Sequence, residues 1–241
     1  MTREQLLTNS IEVSVDQLIY SQGFNKHKPA GERIVTMAEE AAAKTARLIE
    51  PAFTFRRLPV DHVDYLTVNA GELQLNIGAY SYLLEPAVEM VVYLTTIGSK
   101  LDQEVEALNQ GGKFAEAYWL NCAGVLALHS VFKNVRDLTE KAAHAADHGV
   151  GLDISPGTLI GWRLADQKKL CSVLDYRSLG ISITSAATLI PYKTSSGVIG
   201  IGPGYTATKV EPACKYCTSA NSCWMSRIKK RAKSAPLARA F

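Results

Sequence analysis

An apolar run at 88–98, VEMVVYLTTIG, is the feature that most constrains how this chain folds. It is rich in β-branched and aliphatic residues, has almost no polar alternation, and ends at Gly98. A short continuous run of this kind is typical of a strand whose two faces are both buried. The run therefore predicts an interior strand, covered on each side by other parts of the chain.

Helices and further strands surround this run. Apolar residues recur at intervals of three and four over 31–49, which predicts a helix that Pro51 terminates. The segment 113–147 is also helical in pattern, and we expect it to form two helices or one helix broken near Asn134. Helical patterns also occur at 99–109 and 164–176, and strand-like patterns at 52–60, 63–69, 72–78, 180–191, 192–202 and 204–211. Strands and helices that are separated in this way predict an α+β fold.

Composition narrows the class of protein. The chain has 241 residues, 47% of them apolar and 20% charged, with a formal net charge of +3. A charge this small gives no reason to propose a nucleic-acid partner, and no stretch approaches the ~20 apolar residues of a membrane span. The first residues include acids and lack an apolar signal core, so we expect a cytoplasmic protein. Basic residues crowd the tail from Arg227 onwards, which indicates a solvated segment or an arm that docks on an acidic partner.

Three cysteines cluster near the end of the chain. Cys214 and Cys217 form a C-x2-C pair, and Cys223 follows six residues later. Thiolates presented from one turn bind zinc or an iron–sulfur cluster, although the usual set has four ligands; Cys122, Cys171, a histidine or an exogenous ligand could complete it, or the site could have three ligands. A redox dithiol and thiols without a special role are the alternatives.

Two loops are candidates for ligand contact. Ser155-Pro156-Gly157 combines a fixed backbone angle with a permissive one, and such a turn can present bare N–H groups to a ligand. The polar stretch 191–197 is either a hairpin tip or a ligand-facing edge, and its residues favour the hairpin. The chain has no G-x-S-x-G, H-E-x-x-H or P-loop motif that would indicate a hydrolase or a nucleotide-phosphate site.

Four stretches in succession resemble one family, the activation domain of cobalamin-dependent methionine synthase together with its short free-standing relatives. The resemblance covers about residues 30–205 and depends on order and spacing more than on any single motif. The stretches are 95–98 with the helix after it, 117–127, 154–157 with Trp162 and Gln167, and 180–184 continuing through 189–195 to Gly200.

The resemblance implies a fold and a role. It implies a curved α+β domain with a twisted antiparallel sheet and flanking helices over 31–210, preceded by an N-terminal segment (1–30). The cysteine cluster and basic tail (211–241) would follow this domain. In methionine synthase such a domain binds S-adenosylmethionine and faces the corrinoid, so that inactive cob(II)alamin can be reduced and remethylated. The implied partner is a corrinoid-binding protein or methyltransferase that carries the cobalamin.

The same resemblance selects candidate site residues. The ligand-binding candidates are Asp153, Ser155, Pro156, Gly157, Thr158, Trp162 and Lys193, and the metal candidates are Cys214, Cys217 and Cys223. Asp153 stands where the family has an arginine, and Thr158 where it has a tyrosine. An arginine would bind the ligand carboxylate and an aspartate would repel it, so the usual S-adenosylmethionine pose is not expected. Trp162 either replaces the missing aromatic contact or packs in the core.

Two functions follow from the sequence. The first is an accessory or reactivation protein for a corrinoid-dependent methyltransferase such as methionine synthase, in which the cysteine cluster relays one electron to cobalt. The second is a non-catalytic module that binds a corrinoid protein or S-adenosylmethionine and has a zinc-stapled tail.

Overall fold

An antiparallel sheet with helices against it forms the molecule. The computed structural model describes residues 2–4, 11–25 and 27–225. The helices are α1 (Val15–Ser21), α2 (Glu32–Leu48), α3 (Lys100–Gln110), α4 (Phe114–Ala145) and α5 (Gln167–Ser172). The strands are β1 (Thr2–Glu4), β2 (Ala52–Val63), β3 (Val68–Ala70), β4 (Leu73–Leu75), β5 (Glu89–Thr96), β6 (Gly149–Val150), β7 (Ser182–Ile183), β8 (Leu189–Ile190) and β9 (Thr194–Gly202).

The main sheet has seven strands, all paired antiparallel. Six of them follow the order β4-β3-β2-β5-β9-β6, and β1 pairs with β2. The apolar run 88–98 supplies β5, which lies between β2 and β9 and is buried from Met90 to Thr96. The predicted interior strand and the predicted α+β class are therefore both confirmed.

The sheet has a hydrophobic core on each face, which is why β5 carries no polar alternation. Met90, Val92 and Leu94 pack in one cluster that includes Trp162. Val91 and Tyr93 belong to a second cluster, to which α4 contributes Phe132. Full burial of an aliphatic side chain contributes about 1.5–3 kcal/mol, so this doubly covered strand is a main source of stability.

The long helix α4 is continuous over Phe114–Ala145, so the predicted break near Asn134 is wrong. The Asn134 amide group donates to the carbonyl oxygen of Val131 at 3.1 Å. Its side chain thus bonds back onto the preceding turn while the helix continues through it. The prediction for 31–49 agrees with α2, whereas the segment 164–176 holds only a 3-10 turn at Leu164–Asp166 followed by α5.

The prediction of a hairpin tip at 191–197 is also wrong. Thr194 opens β9, so residues 194–197 of the polar stretch belong to a strand paired with β5, while β6 pairs with β9 only at Ile201 and Gly202. The nearby hairpin is instead formed by β7 and β8, which pair only with each other. The two apolar runs beside the stretch therefore belong to different sheets, and sequence pattern alone gives no sign of that. The segment 204–211 contains no strand.

No helix among the described residues is both long enough and apolar enough to cross a membrane. The basic tail from Arg227 onwards lies outside the described residues, as does any docking arm predicted there.

Candidate functional site

The candidate ligand loop leaves the edge of the sheet beside β9. After β6 the chain rejoins β9 at Ile154, which exchanges two backbone hydrogen bonds with Val198, at 3.1 and 2.9 Å. Side chains alternate along an extended segment, so the neighbours Asp153 and Ser155 face the opposite side from Ile154. Because Ile154 pairs with Val198, Ser155 lies beside Gly197 of β9. Tyr93 of β5 is the cross-strand partner of Gly197 on its other side, so Tyr93 lies on the same side as Asp153 and Ser155.

A polar cluster forms where these half-buried side chains meet the buried Tyr93 hydroxyl, and we call it the Tyr93 cluster: Tyr93, Asp153, Ser155 and Ser195. The Tyr93 hydroxyl donates to Oδ1 of Asp153 at 2.6 Å and is also hydrogen-bonded to Ser155 and Ser195. The Tyr93 side chain is 1% exposed. The cluster joins two predicted site residues, Asp153 and Ser155, to Tyr93 and Ser195, which are not among the predicted site residues.

Gly197 leaves the space that this cluster occupies. A Cβ atom at Gly197 would lie 2.6 Å from the Tyr93 hydroxyl oxygen and 2.8 Å from Oγ of Ser155. Contacts of that length are too short for real side chains, so any larger residue at this position would displace the cluster. The absence of a side chain at position 197 is therefore a requirement of the site.

The electrostatics keep the Tyr93 hydroxyl neutral. Burial, together with the adjacent Asp153 carboxylate, raises the pKa of Tyr93 well above its ordinary value of 10.0. The hydroxyl is thus a permanent donor to Asp153 at physiological pH. Thr95, the cross-strand partner of Ser195, has a buried Oγ1 without a hydrogen-bond partner among the described residues, so this end of β5 has unused hydrogen-bonding capacity.

The loop that follows is closed on itself. Gly157 adopts φ +78°, and its N–H donates to the carbonyl oxygen of Trp162 at 2.8 Å. The Thr158 N–H donates to the carbonyl oxygen of Ser155 at 3.3 Å, and Pro156 has no N–H to offer. The N–H groups of Gly157 and Thr158 are thus used within the loop, and the side chains of the Tyr93 cluster lie beside it.

Two further candidates lie away from this cluster. Trp162 is 2% exposed in the core, and its indole N–H donates to Oδ2 of Asp166 at 3.1 Å. Lys193 is 8% exposed. Its ammonium group bonds Oδ1 of Asp102 at 3.0 Å and Oδ1 of Asn121 at 2.6 Å, and this connects the start of β9 to α3 and α4. Trp162 thus packs inside the fold, and Lys193 ties three elements together.

The cysteine segment lies along the ligand loop. We call Glu211–Thr218 the strap. The Asp153 N–H donates to the carbonyl oxygen of Glu211 at 2.9 Å, and the Ile160 N–H to that of Tyr216 at 3.0 Å. The Thr218 N–H donates in the other direction, to the carbonyl oxygen of Thr158 at 2.8 Å. The strap therefore runs along the loop from Asp153 to Ile160, an arrangement that has no signature in the sequence.

The three strap and tail cysteines do not fit a metal centre. Cys214, Cys217 and Cys223 are half-buried thiols outside any disulfide. Within 2–4, 11–25 and 27–225, no three or more histidine, cysteine, aspartate or glutamate side chains are grouped so that they could hold a metal ion. The expectation of zinc or an iron–sulfur cluster at these residues is therefore without structural support.

The remaining cysteines do not complete such a set. Cys122 is buried among α1, α2 and α4, and Cys171 in the core beneath the sheet. Burial raises the pKa of Cys171 to about 11, and it raises that of Cys122 as well. Both behave as small core residues, as their apolar sequence surroundings predict.

Comparison with known proteins bears on the fold. No family model matches the chain, and no curated protein does. Among solved structures, the crystal structure of the MetH reactivation domain bound to AdoHcy superposes with a TM-score of 0.58 at 11% sequence identity. The match covers 86% of this chain and 80% of the other. The chain shares the fold of the MetH reactivation domain. The antiparallel sheet with flanking helices that the family resemblance implied is therefore confirmed, and at this identity the likeness establishes the fold alone.

Proposed function

We propose that this chain is an accessory protein that supports the reductive reactivation of a corrinoid-dependent methyltransferase such as methionine synthase. The observation that carries the proposal is the fold, which extends over 86% of the chain and is that of a reactivation domain. The ordered sequence resemblance over about 30–205 supports the same role independently of the coordinates. The partner in this proposal is a protein that carries cobalamin.

A ligand related to S-adenosylmethionine is the second part of the proposal. The solved neighbour is bound to AdoHcy, a molecule with both an ammonium and a carboxylate group at its amino-acid end. In this chain the Asp153 carboxylate stands at the candidate loop and is held by the Tyr93 hydroxyl. A carboxylate attracts the ammonium and repels the other carboxylate, so the ligand binds in an orientation different from one that an arginine would impose.

Three residues at the candidate site have a defined task in this proposal. Asp153 binds the cationic end of the ligand, Tyr93 fixes the Asp153 carboxylate, and Gly197 leaves room for both. The methyl donor supplies the methyl group and the partner supplies the corrinoid. Because Cys214, Cys217 and Cys223 do not fit a metal centre, the proposal places no electron relay there.

Titration calorimetry tests the ligand part directly. S-adenosylmethionine and S-adenosylhomocysteine should each bind the wild-type chain, and Asp153→Asn should weaken binding about tenfold or more because a charge-assisted hydrogen bond is lost. The matched control is Asp16→Asn, which removes an exposed aspartate on α1 and should leave the affinity unchanged. If neither ligand produces heat with the wild-type chain, the ligand part of the proposal is wrong.

A second candidate function is a docking module for a corrinoid protein without an adenosyl ligand. The strap favours it, since the strap runs along the loop and the Gly157, Thr158 and Ile160 N–H groups already have acceptors. The zinc staple that the sequence suggested for such a module has no structural support. Sedimentation with a cobalamin-loaded methionine synthase that lacks its activation domain separates the cases. A complex without calorimetric heat from either adenosyl compound favours docking alone, and the absence of a complex contradicts both functions.

A further inference from the structure

Cys214 and Cys217 lie at the two ends of one tight turn. The 3-10 turn Cys214–Tyr216 is closed by a hydrogen bond from the Cys217 N–H to the carbonyl oxygen of Cys214, at 3.4 Å. A turn closed between its first and fourth residues holds their Cα atoms within about 7 Å. Disulfides form across Cα separations of about 4.4–6.8 Å, so the backbone already has the span that a bond between these two sulfurs requires.

The other thiols lack this arrangement. Cys223 belongs to a later turn, in which its N–H donates to the carbonyl oxygen of Ser219 at 2.9 Å. Cys122 and Cys171 are buried in α4 and α5, where an oxidant has little access. By contrast, Cys214 and Cys217 are half-buried in the strap, and the Cys217 sulfur accepts a hydrogen bond from the Ser219 N–H at 3.4 Å.

We propose that Cys214 and Cys217 form a reversible disulfide within the strap, and that this disulfide holds the strap in its hydrogen-bonded position along the ligand loop. One cysteine thiolate attacks a low-molecular-weight disulfide, which forms a mixed disulfide and releases one small thiolate. The second cysteine thiolate attacks the protein sulfur of the mixed disulfide and releases the other small thiolate. The two protein thiols are oxidised, the small disulfide is reduced to two thiols, and a reducing thiol reverses both steps.

The position of Cys217 connects this chemistry to the loop. Cys217 is bridged to Leu159, and the two cross-segment hydrogen bonds on either side join Tyr216 to Ile160 and Thr218 to Thr158. A disulfide limits the conformations that the turn can reach when the strap lifts from the loop. Oxidation therefore holds the strap down, and reduction lets it open more often.

Redox titration of the full chain tests the proposal. The protein is equilibrated in buffers of oxidised and reduced glutathione, alkylated differentially, and mapped by mass spectrometry. A Cys214–Cys217 linkage should accumulate in wild type and in Cys223→Ser alike, and should be absent from Cys217→Ser. In the oxidised form, hydrogen exchange at the Ile160 and Thr218 amides should be about tenfold slower than in the reduced form.

Two results would overturn the inference. One is a linkage that uses Cys223, or no intramolecular linkage in the most oxidising buffer. The other is a Cys214–Cys217 disulfide that leaves exchange at Ile160 and Thr218 unchanged, since the bond would then not fasten the strap. The inference rests on the strap alone, so its failure would leave the proposed function untouched, and the reverse also holds.

Discussion

The Tyr93 hydroxyl is the residue-scale feature on which the candidate site depends. It lies in an otherwise apolar strand, is 1% exposed, and bonds a carboxylate sixty residues away in sequence. A polar group buried this deeply is costly unless it is fully hydrogen-bonded. Its partners Asp153, Ser155 and Ser195 meet that requirement, and the tyrosine in turn fixes their positions.

Replacing this hydroxyl should cost stability. Tyr93→Phe removes the donor to Asp153 while the ring contact with Phe132 remains, so the free energy of unfolding should fall by about 1–3 kcal/mol. Urea unfolding measures the change. Tyr65→Phe is the matched control, since Tyr65 is 78% exposed and removal of its hydroxyl should change stability by less than about 0.5 kcal/mol. Equal effects of the two substitutions would mean that the Tyr93 cluster contributes nothing specific.

Alkaline pH should destabilise the fold through its buried tyrosines. Burial raises the pKa of Tyr93 and of Tyr205 above the ordinary 10.0. Above pH 10.0 the unfolded chain releases these protons and the folded chain keeps them. Each tyrosine therefore contributes stability that is complete below pH 10.0 and is lost as pH rises through the folded-state pKa, at about 1.4 kcal/mol per pH unit.

Chemical denaturation at several alkaline pH values measures this loss. Tyr205→Phe removes a hydroxyl that donates to the Leu83 carbonyl oxygen. In this variant the free energy of unfolding should fall less steeply with pH than in wild type, by the amount that one buried tyrosine contributes. Equal slopes for the variant and wild type would show that Tyr205 does not titrate in this way.

At the scale of elements, the strap is the piece that most alters the candidate site. Ending the chain after Val210 removes the acceptors of the Asp153 and Ile160 amides, so exchange at both should accelerate about tenfold or more. Ending it after Met225 keeps the strap and serves as the control. Nuclear magnetic resonance measures both amides, and circular dichroism checks that each variant is folded. Unchanged exchange in the shorter variant would show that the strap does not protect the loop.

Local patterns predicted several elements and missed the contacts between them. The run 88–98 and the periodic segment 31–49 identify β5 and α2, because burial on both faces or along one stripe leaves a direct trace in sequence. The predicted helix break at Asn134 is wrong because the hydrogen bond from the Asn134 side chain to the Val131 carbonyl oxygen has no sequence signature. The link from Tyr93 to Asp153 is long-range and invisible to pattern, although a lone tyrosine in a buried strand was a signal that could have selected it.

The cysteine cluster also shows that sequence patterns predict local structure but not contacts between distant segments. Spacing predicted that Cys214 and Cys217 share a turn, which they do. Spacing did not indicate that the turn lies against the ligand loop, since that depends on backbone hydrogen bonds between segments about sixty residues apart in sequence. The metal prediction has no structural support, since the described residues contain no group of three or more side chains that could hold a metal ion.

At the scale of the whole molecule, this chain and a solved domain have the same fold although their sequences are very different. The chain and the MetH reactivation domain share 11% of their residues and superpose over most of both chains. What they share is an antiparallel sheet with flanking helices, which many sequences satisfy through burial pattern alone. The residues of the candidate site are less constrained than the fold, as Asp153 and the strap show. The role of the whole chain is therefore best tested by measuring its effect on a corrinoid enzyme.

The most direct measurement uses a cobalamin-dependent methionine synthase from which the activation domain has been removed. Its cob(II)alamin form is mixed without oxygen with an electron donor, S-adenosylmethionine and this chain, and methylcobalamin formation is followed by absorbance. We expect the wild-type chain to accelerate remethylation and Asp153→Asn to do so less, while Asp16→Asn matches wild type. A rate that the chain does not change, together with no complex between the two proteins, would contradict the account.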